Sequence, residues 1–284
     1  MMSNRIILGM GFLIGNLLFG CEFNGDTVIV APDDTAPGVP RGVYTVTGDR
    51  AVTVYWFGSS EDDLDEYLIW RADNEPQSSG DFFLLAVIDA GAWDPDNPDF
   101  VYVDRHNMAN GFTYYYAISA VDFAGNESAL SYASDPTVDT PRPEGEDVLL
   151  DADVTGIAGF DIEHGVSVPI GHPAAHIEVY YDDALGILTA VAVYNNSSDY
   201  NDIQDFGYTD DMDQLDWAPE QGWSHIGWAE LIEGHTYVVW TNENHFAKFR
   251  VTSRGDTWVL VDWAYQLVAG LPELKPALPQ SDGV

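Results

Sequence analysis

The chain has 284 residues, 47 of them acidic and 10 basic, for a formal net charge of −37. Nucleic acid and anionic lipid headgroups are excluded as partners of such a surface, because both need clustered Lys and Arg to neutralise phosphate. With 46% hydrophobic and 13% aromatic residues the chain is not a disordered acidic tail, and its length suffices for two cores.

Residues 1–20, MMSNRIILGMGFLIGNLLFG, read as an export signal: Arg5 near the start, then an apolar run, then a small residue before Cys21. Gly11, Gly15 and Asn16 interrupt the run, which makes it a poor membrane span. The sequence LLFGC resembles the lipobox of bacterial lipoproteins. That resemblance implies that Cys21 carries a lipid and becomes the first mature residue. The protein is then exported and anchored to a bacterial membrane, expected to be the outer membrane, facing the periplasm or the surface. Cys21 is the only cysteine, so disulfides within the chain and thiolate metal clusters are excluded. Residues 21–36, Pro-rich from Ala31 onward, are expected to form a tether.

From residue 37 to residue 141 the texture is that of short strands. RAVTVYWF places Val52, Val54 and Trp56 on one face, DEYLIWR places Tyr67 and Ile69 inward, and FTYYYAISAVD turns Tyr114, Tyr116, Ile118 and Ala120 inward. Polar turns such as SSEDD and NMANG divide them, the pattern of a β-sandwich. Pro37 and Pro40 at entry, Trp56, YLIWR and MANGFTYYYAISAVDFAGNES together resemble the fibronectin type III module. In that likeness Met108, Gly111 and Tyr114 take the family's Leu, Gly and tyrosine-corner positions. Trp70 and Tyr115 point outward from neighbouring strands. They form either an aromatic platform for a glycan or partner protein, or packing against a second domain, or isolated exposed rings.

A linker is expected at 142–147, within DTPRPEGED, followed by a second β-rich domain over 148–270 and a loose tail over 271–284. HIEVYYDD, GILTAVAVYN, HTYVVWT, HFAKFRVTS and TWVLVDWAYQLV are strand-like, and the fold class expected for the whole chain is all-β. If NEN is a turn, Thr241 faces His245 and His235 faces Val251, so the two histidines share a face roughly 20 Å apart and cannot hold one ion. On that face Tyr237 and Val239 meet Ala247, Phe249 and Val251 as core. On the other, Lys248 and Arg250 lie beside Val238 and Trp240 as basic stems over an aromatic, ordinary surface packing. RGD at 254–256 reads as a tight turn.

Six of the seven histidines fall in this second domain, but the best-spaced pair, His172 and His176, is divided by Pro173 and followed by a strand. The loop SSDYNDIQDFGYTDDMDQLD includes Asp210, Asp211, Asp213 and Asp216, the best calcium candidates in the chain. It lacks the DxDxDG order of an EF-hand, and a solvated acidic loop fits it as well. There is no GxSxG, no phosphate-cradling glycine loop and no HExxH. The expectation is therefore a protein that is not an enzyme.

GFDIEHGVSVP early in the second domain and HTYVVWTNENHFAKFRVTS with VLVDWAYQ late in it are similar to strands of the HmuY-like haem-binding lipoproteins of Gram-negative bacteria. The similarity implies haem as ligand, held by His or Met side chains upstream of the closing strands. Met212 and His225 are the iron-competent candidates there, with His235 at the margin and Trp217, Trp223 and Trp228 available to line an apolar pocket. The functional expectation is a lipid-anchored cell-envelope protein that binds haem. The alternative is an adhesion or scaffolding protein that binds protein or glycan through its β-domains.

Overall fold

The computed structural model describes residues 33–92, 99–133, 137–196 and 199–274. Cys21 and most of the expected tether lie outside the described residues. Among the described residues every regular element longer than a single 3-10 turn is a β-strand, and no helix is long and apolar enough to cross a membrane.

The first module holds β1 (Tyr44–Gly48), β2 (Ala51–Phe57), β3 (Leu64–Ala72), β4 (Phe83–Asp89), β5 (Asp99–Asp104), β6 (Tyr114–Asp122) and β7 (Thr137–Asp139). They form two antiparallel sheets, β1-β2-β5 and β4-β3-β6-β7. The period-2 alternation read from the sequence sets which face is buried: Val52, Val54, Trp56, Tyr67, Ile69, Tyr116 and Ile118 have no exposed surface. Trp56 stacks on Phe100 at 5.5 Å between centroids and meets Tyr67 edge-on at 5.6 Å. Each ring contributes about 1.5–3 kcal/mol by burial alone. The Ala109 N–H donates to the Tyr114 hydroxyl at 3.0 Å, which is the tyrosine corner. Three strands facing four, closed by that corner, make this module fibronectin-like.

The second module holds β8 (Glu144–Asp151), β9 (Gly159–Asp161), β10 (Val166–Val168), β11 (Ile177–Asp182), β12 (Ile187–Ala192), β13 (Tyr194–Asn196), β14 (Asp199–Tyr200), β15 (Asp202–Tyr208), β16 (Trp228–Glu230), β17 (His235–Trp240), β18 (Phe246–Arg254) and β19 (Trp258–Tyr265). Two five-stranded sheets, β10-β9-β11-β12-β16 and β15-β17-β18-β19-β8, enclose a core that includes Phe160, Ile177, Leu188, Tyr237, Phe249 and Val261. The β17–β18 hairpin has the register read from the sequence: Tyr237 pairs with Phe249, and the Thr241 N–H reaches the His245 carbonyl at 2.8 Å. Gly255 turns the chain from β18 to β19, its N–H bonded to the Trp258 carbonyl at 2.8 Å, so RGD is a turn.

Three expectations are corrected. The segment 142–147 is no free linker: β8 begins at Glu144, where it pairs with Ala264 of β19, and Arg142 is fully buried. The tail is anchored at its start, because the Leu274 N–H bonds the Asp216 carbonyl at 2.6 Å and the Leu274 side chain is buried; residues 275–284 lie outside the described residues. The outward face of the β17–β18 hairpin is not open surface either. Leu215, Ala218 and Leu274 cover Val238, and Lys248 beside it has no exposed surface.

Although the two cores are separate, the described residues from Asp34 onward form one compact unit. The junction explains this. The Gly111 N–H in the first module bonds the Pro141 carbonyl at 2.7 Å, and a Cβ on Gly111 would sit 3.2 Å from Leu267 of the second. Thr47 donates to Asp139 at 2.7 Å, and Arg142 stands 3.7 Å from Glu144. Burial, with the Asp139 charge adding to it and Arg142 opposing, pushes the Glu273 carboxyl up to about 7. A carboxyl whose folded pKa is raised favours folding at low pH and loses that contribution as pH rises through the folded value. The window runs from the ordinary value of 4.5 in the unfolded chain to about 7 in the folded one. Glu273→Gln removes the titration. Wild type and variant are expected to melt together near the lower end of that window, with the variant the more stable above its upper end, read as Tm against pH.

Candidate functional site

Trp70 and Tyr115 do share the outward face of the β4-β3-β6-β7 sheet, since Trp70 pairs with Ala117 and Ala72 with Tyr115. They are half-buried under a second layer. Phe82, Leu130 and Tyr132 pack over Ala72 and Ala117, with Tyr132 edge-on to Phe82 at 5.2 Å and to Tyr115 at 6.4 Å. The Trp70 indole N–H donates to Ser119 at 2.9 Å, and Ser119 donates onward to Glu127 at 2.6 Å, which pins the indole to its sheet. Beside this layer is a groove of about 240 Å³ lined by Gln77, Ser78, Phe82, Leu130 and Tyr132. It is smaller than the usual ligand cavity of about 300–1,000 Å³ and has room for one ring or one side chain.

The Asp-rich loop is organised around an ammonium group. Lys248 reaches out of β18 and donates to the carbonyls of Met212 and Leu215, both at 2.9 Å, with the Asp213 carboxylate 3.6 Å away. Asp211 caps the short 3-10 turn at Met212–Gln214, accepting the N–H groups of Asp213 at 2.8 Å and Gln214 at 3.1 Å. Asp210 faces the Gln214 side-chain amide at 3.3 Å, and the Asp216 carbonyl holds the tail. Among the described residues these four aspartates do not gather three ligand atoms within 4.8 Å of one another. Asp211, Met212 and Asp213 instead line a 740 Å³ cleft between the modules, opposite Asp49 and Arg105.

Met212 and His225 stand apart in their settings. Met212 is half-buried on that cleft, whereas His225 is exposed on the 224–227 turn next to Asp202 and is not among the residues lining the cleft. The tryptophans diverge as well: Trp217 is half exposed and bridged to Glu273, Trp223 packs on Trp240 and Phe246, and Trp228 lies on the opposite sheet. His235 and His245 serve the framework. His235 Nδ1 lies 2.9 Å from Asp205 with its ring edge-on to Tyr208, and His245 Nδ1 lies 3.0 Å from the Gln266 carbonyl.

A further aromatic surface is one that sequence periodicity left unnoticed. On the outer face of β11-β12-β16, Tyr180 pairs with Thr189, Thr189 with Glu230, and Val191 with Trp228. Alternation sends all of these side chains to one side, with Ile177, Val179, Leu188 and Ala190 buried on the other. Tyr180 and Trp228 therefore stand two strands apart and two residues out of line, roughly 12 Å, across Thr189 and Val191. They line an open groove of about 520 Å³ with Ile187, Leu185 and Asp182. The Tyr180 hydroxyl donates to Glu178 at 2.5 Å; burial first, then that carboxylate, pushes it up to about 12, so it stays protonated at neutral pH. The alternating HIEVYYDD was the available signal, but which face would be left uncovered depends on where the chain after Asp182 goes.

No family model matches the chain. It is 25% identical over 260 residues to an amylopullulanase of Thermoanaerobacterium saccharolyticum, a match covering 87% of this chain and 18% of that protein, so the chain spans under a fifth of that relative's length. Among solved structures, an Fn3-like protein from Clostridium thermocellum is 22% identical over 39% of this chain and 100% of its own, with a TM-score of 0.27. A DUF4466 family protein from Parabacteroides merdae is 8% identical over 82% of this chain and 96% of its own, with a TM-score of 0.37.

The Lys248 arrangement generates a stability prediction. Lys248→Met keeps the volume but leaves the Met212 and Leu215 carbonyls without their donor. A loss of about 2–4 kcal/mol is expected in urea unfolding. Arg105→Ala, an exposed cation of the same surface, should change stability by no more than about 0.5 kcal/mol.

Proposed function

We propose that this is a non-enzymatic binding and scaffolding protein of the cell envelope, tethered through Cys21, that holds neutral glycan on the outer face of its second module. The observation that supports the reading best is the Tyr180–Trp228 groove, an aromatic face that no other described residues cover, on a surface otherwise rich in carboxylates. Aromatic rings offer apolar faces to the C–H side of a sugar ring, while Thr189 and the carboxylates of Asp182 and Glu230 provide acceptors for hydroxyl groups. The same carboxylates repel anionic polymers, which narrows the glycan to a neutral one. Amylopullulanase is the name of the curated relative, so soluble starch and pullulan are the first probes.

The fibronectin-like module acts in this reading as a spacer locked to the binding module by Asp139, Arg142 and Gly111. The groove at Tyr132 and Phe82 is a subsidiary contact for one ring.

Affinity electrophoresis through gels containing soluble starch, pullulan or xylan tests the proposal. Retardation of the wild-type chain is expected in at least one gel, with Tyr180→Ala and Trp228→Ala each weakening it roughly tenfold, the value of about 1.4 kcal/mol for a lost ring contact. Mobility that is the same in every gel, or retardation that survives both substitutions, would overturn it.

A further inference from the structure

The turn between β9 and β10 brings together side chains that neither the glycan face nor the cleft uses. Asp161 ends β9, Glu163 and His164 follow in the turn, and one ligand atom from each lies within 4.8 Å of the other two. His164 Nδ1 is 3.0 Å from one Asp161 carboxylate oxygen and 3.1 Å from the other, and the His164 backbone N–H also donates to Asp161 at 3.3 Å. His176 stands behind them, its Nδ1 4.0 Å from Asp161 and accepting the Ile162 N–H at 3.3 Å.

The turn is held firmly from below. Phe160 and Ile162 are both fully buried in the core between the two sheets, with Asp161 between them at the end of β9. Gly165 has φ +63, and a Cβ there would lie 1.9 Å from the Trp263 ring, so the backbone rests directly on that indole. Only glycine satisfies both conditions. The carboxylate of Asp161 is itself almost wholly buried, while the His164 ring is exposed, so the cluster opens to solvent on one side only.

We propose that Asp161, Glu163 and His164 form a binding site for a divalent d-block cation of the zinc, cobalt or nickel type. Such an ion sits about 2.0–2.2 Å from imidazole nitrogen and carboxylate oxygen, so donors already within 4.8 Å of one another close on it by side-chain rotation with the backbone unchanged. Two carboxylates and one imidazole suit these metals better than calcium, which takes six to eight oxygens. His176 is not a ligand: its Nδ1 is committed to the Ile162 N–H. Three protein ligands leave a coordination position open to water or to a donor from a partner molecule. The strongly negative chain concentrates cations around the site.

The test is calorimetric titration of the full chain with Zn2+ at physiological salt and in excess Mg2+, which occupies the nonspecific carboxylates. A single saturable site is expected. His164→Ala and Glu163→Gln, both at positions with exposed or half-exposed side chains, should each weaken it by at least the roughly 10–100-fold that loss of an outer partner alone causes. Co2+ should give a visible absorption band in the wild-type chain that is absent in His164→Ala. Absence of saturable Zn2+ uptake, uptake unchanged in both variants, or Ca2+ held more tightly than Zn2+ would each overturn the proposal. Because the readout is metal uptake, its outcome is independent of whether the Tyr180–Trp228 face retains glycan.

Discussion

The structure depends most on where its few cations sit. In a chain with 47 acidic and 10 basic residues, simple pairing would place each Lys or Arg among surface carboxylates. Instead Lys248 holds the carbonyls of Met212 and Leu215, Arg250 that of Thr209, Arg254 that of Leu231 and Arg71 that of His106. A carbonyl at the end of a loop is a fixed partial charge with no side-chain entropy of its own, so a buried cation ties down backbone more effectively than an exposed ion pair would. Apart from a few such as Asp73 beside Arg71 and Asp213 beside Lys248, the surface carboxylates are left to water, where their mutual repulsion is screened.

Three of these cations are almost wholly buried: Arg71 in the first module, Arg142 at the junction and Lys248 in the second. Each marks a place where irregular chain meets a sheet. Arg71 joins Asp104 at 2.8 Å and lies over the Tyr114 ring, which fixes the approach to the tyrosine corner. Arg142 lies where β7 gives way to β8, beside Asp139 and Glu144. Lys248 roots the 212–215 turn on the outer face of β18. Burying a cation in this way costs desolvation, and the cost is offset only when acceptors are in place, as they are for Arg71 and Lys248, so these two sites specify one arrangement of loop on sheet.

That arrangement leaves different faces of the two modules open. In the fibronectin-like module Phe82 and Tyr132 cover the sheet outside Trp70 and Tyr115. In the second module the loop around Lys248 covers β17 and β18, while among the described residues no such layer lies over Tyr180 and Trp228. The open face and the Asp161–His164 turn belong to the same sheet, since β9 pairs with β11.

The sequence by itself determined the all-β class, the inward faces of β2, β3 and β6, the tyrosine corner and the register of the β17–β18 hairpin. All of these follow from period-2 alternation and local turn chemistry, which act between residues close in the chain. Only the tertiary structure decided what covers each outward face. Lys248 reads as a surface residue until the 209–218 loop folds over it, bringing Met212 to it across a sequence separation of 36. Trp70 is left between open platform and packed ring until Tyr132 arrives, and GFDIEHGVSVP reads as strand until Trp263, from β19, meets Gly165 at the turn. Alternation says which side a residue takes. What meets it there is set by long-range packing, which no short window of sequence contains.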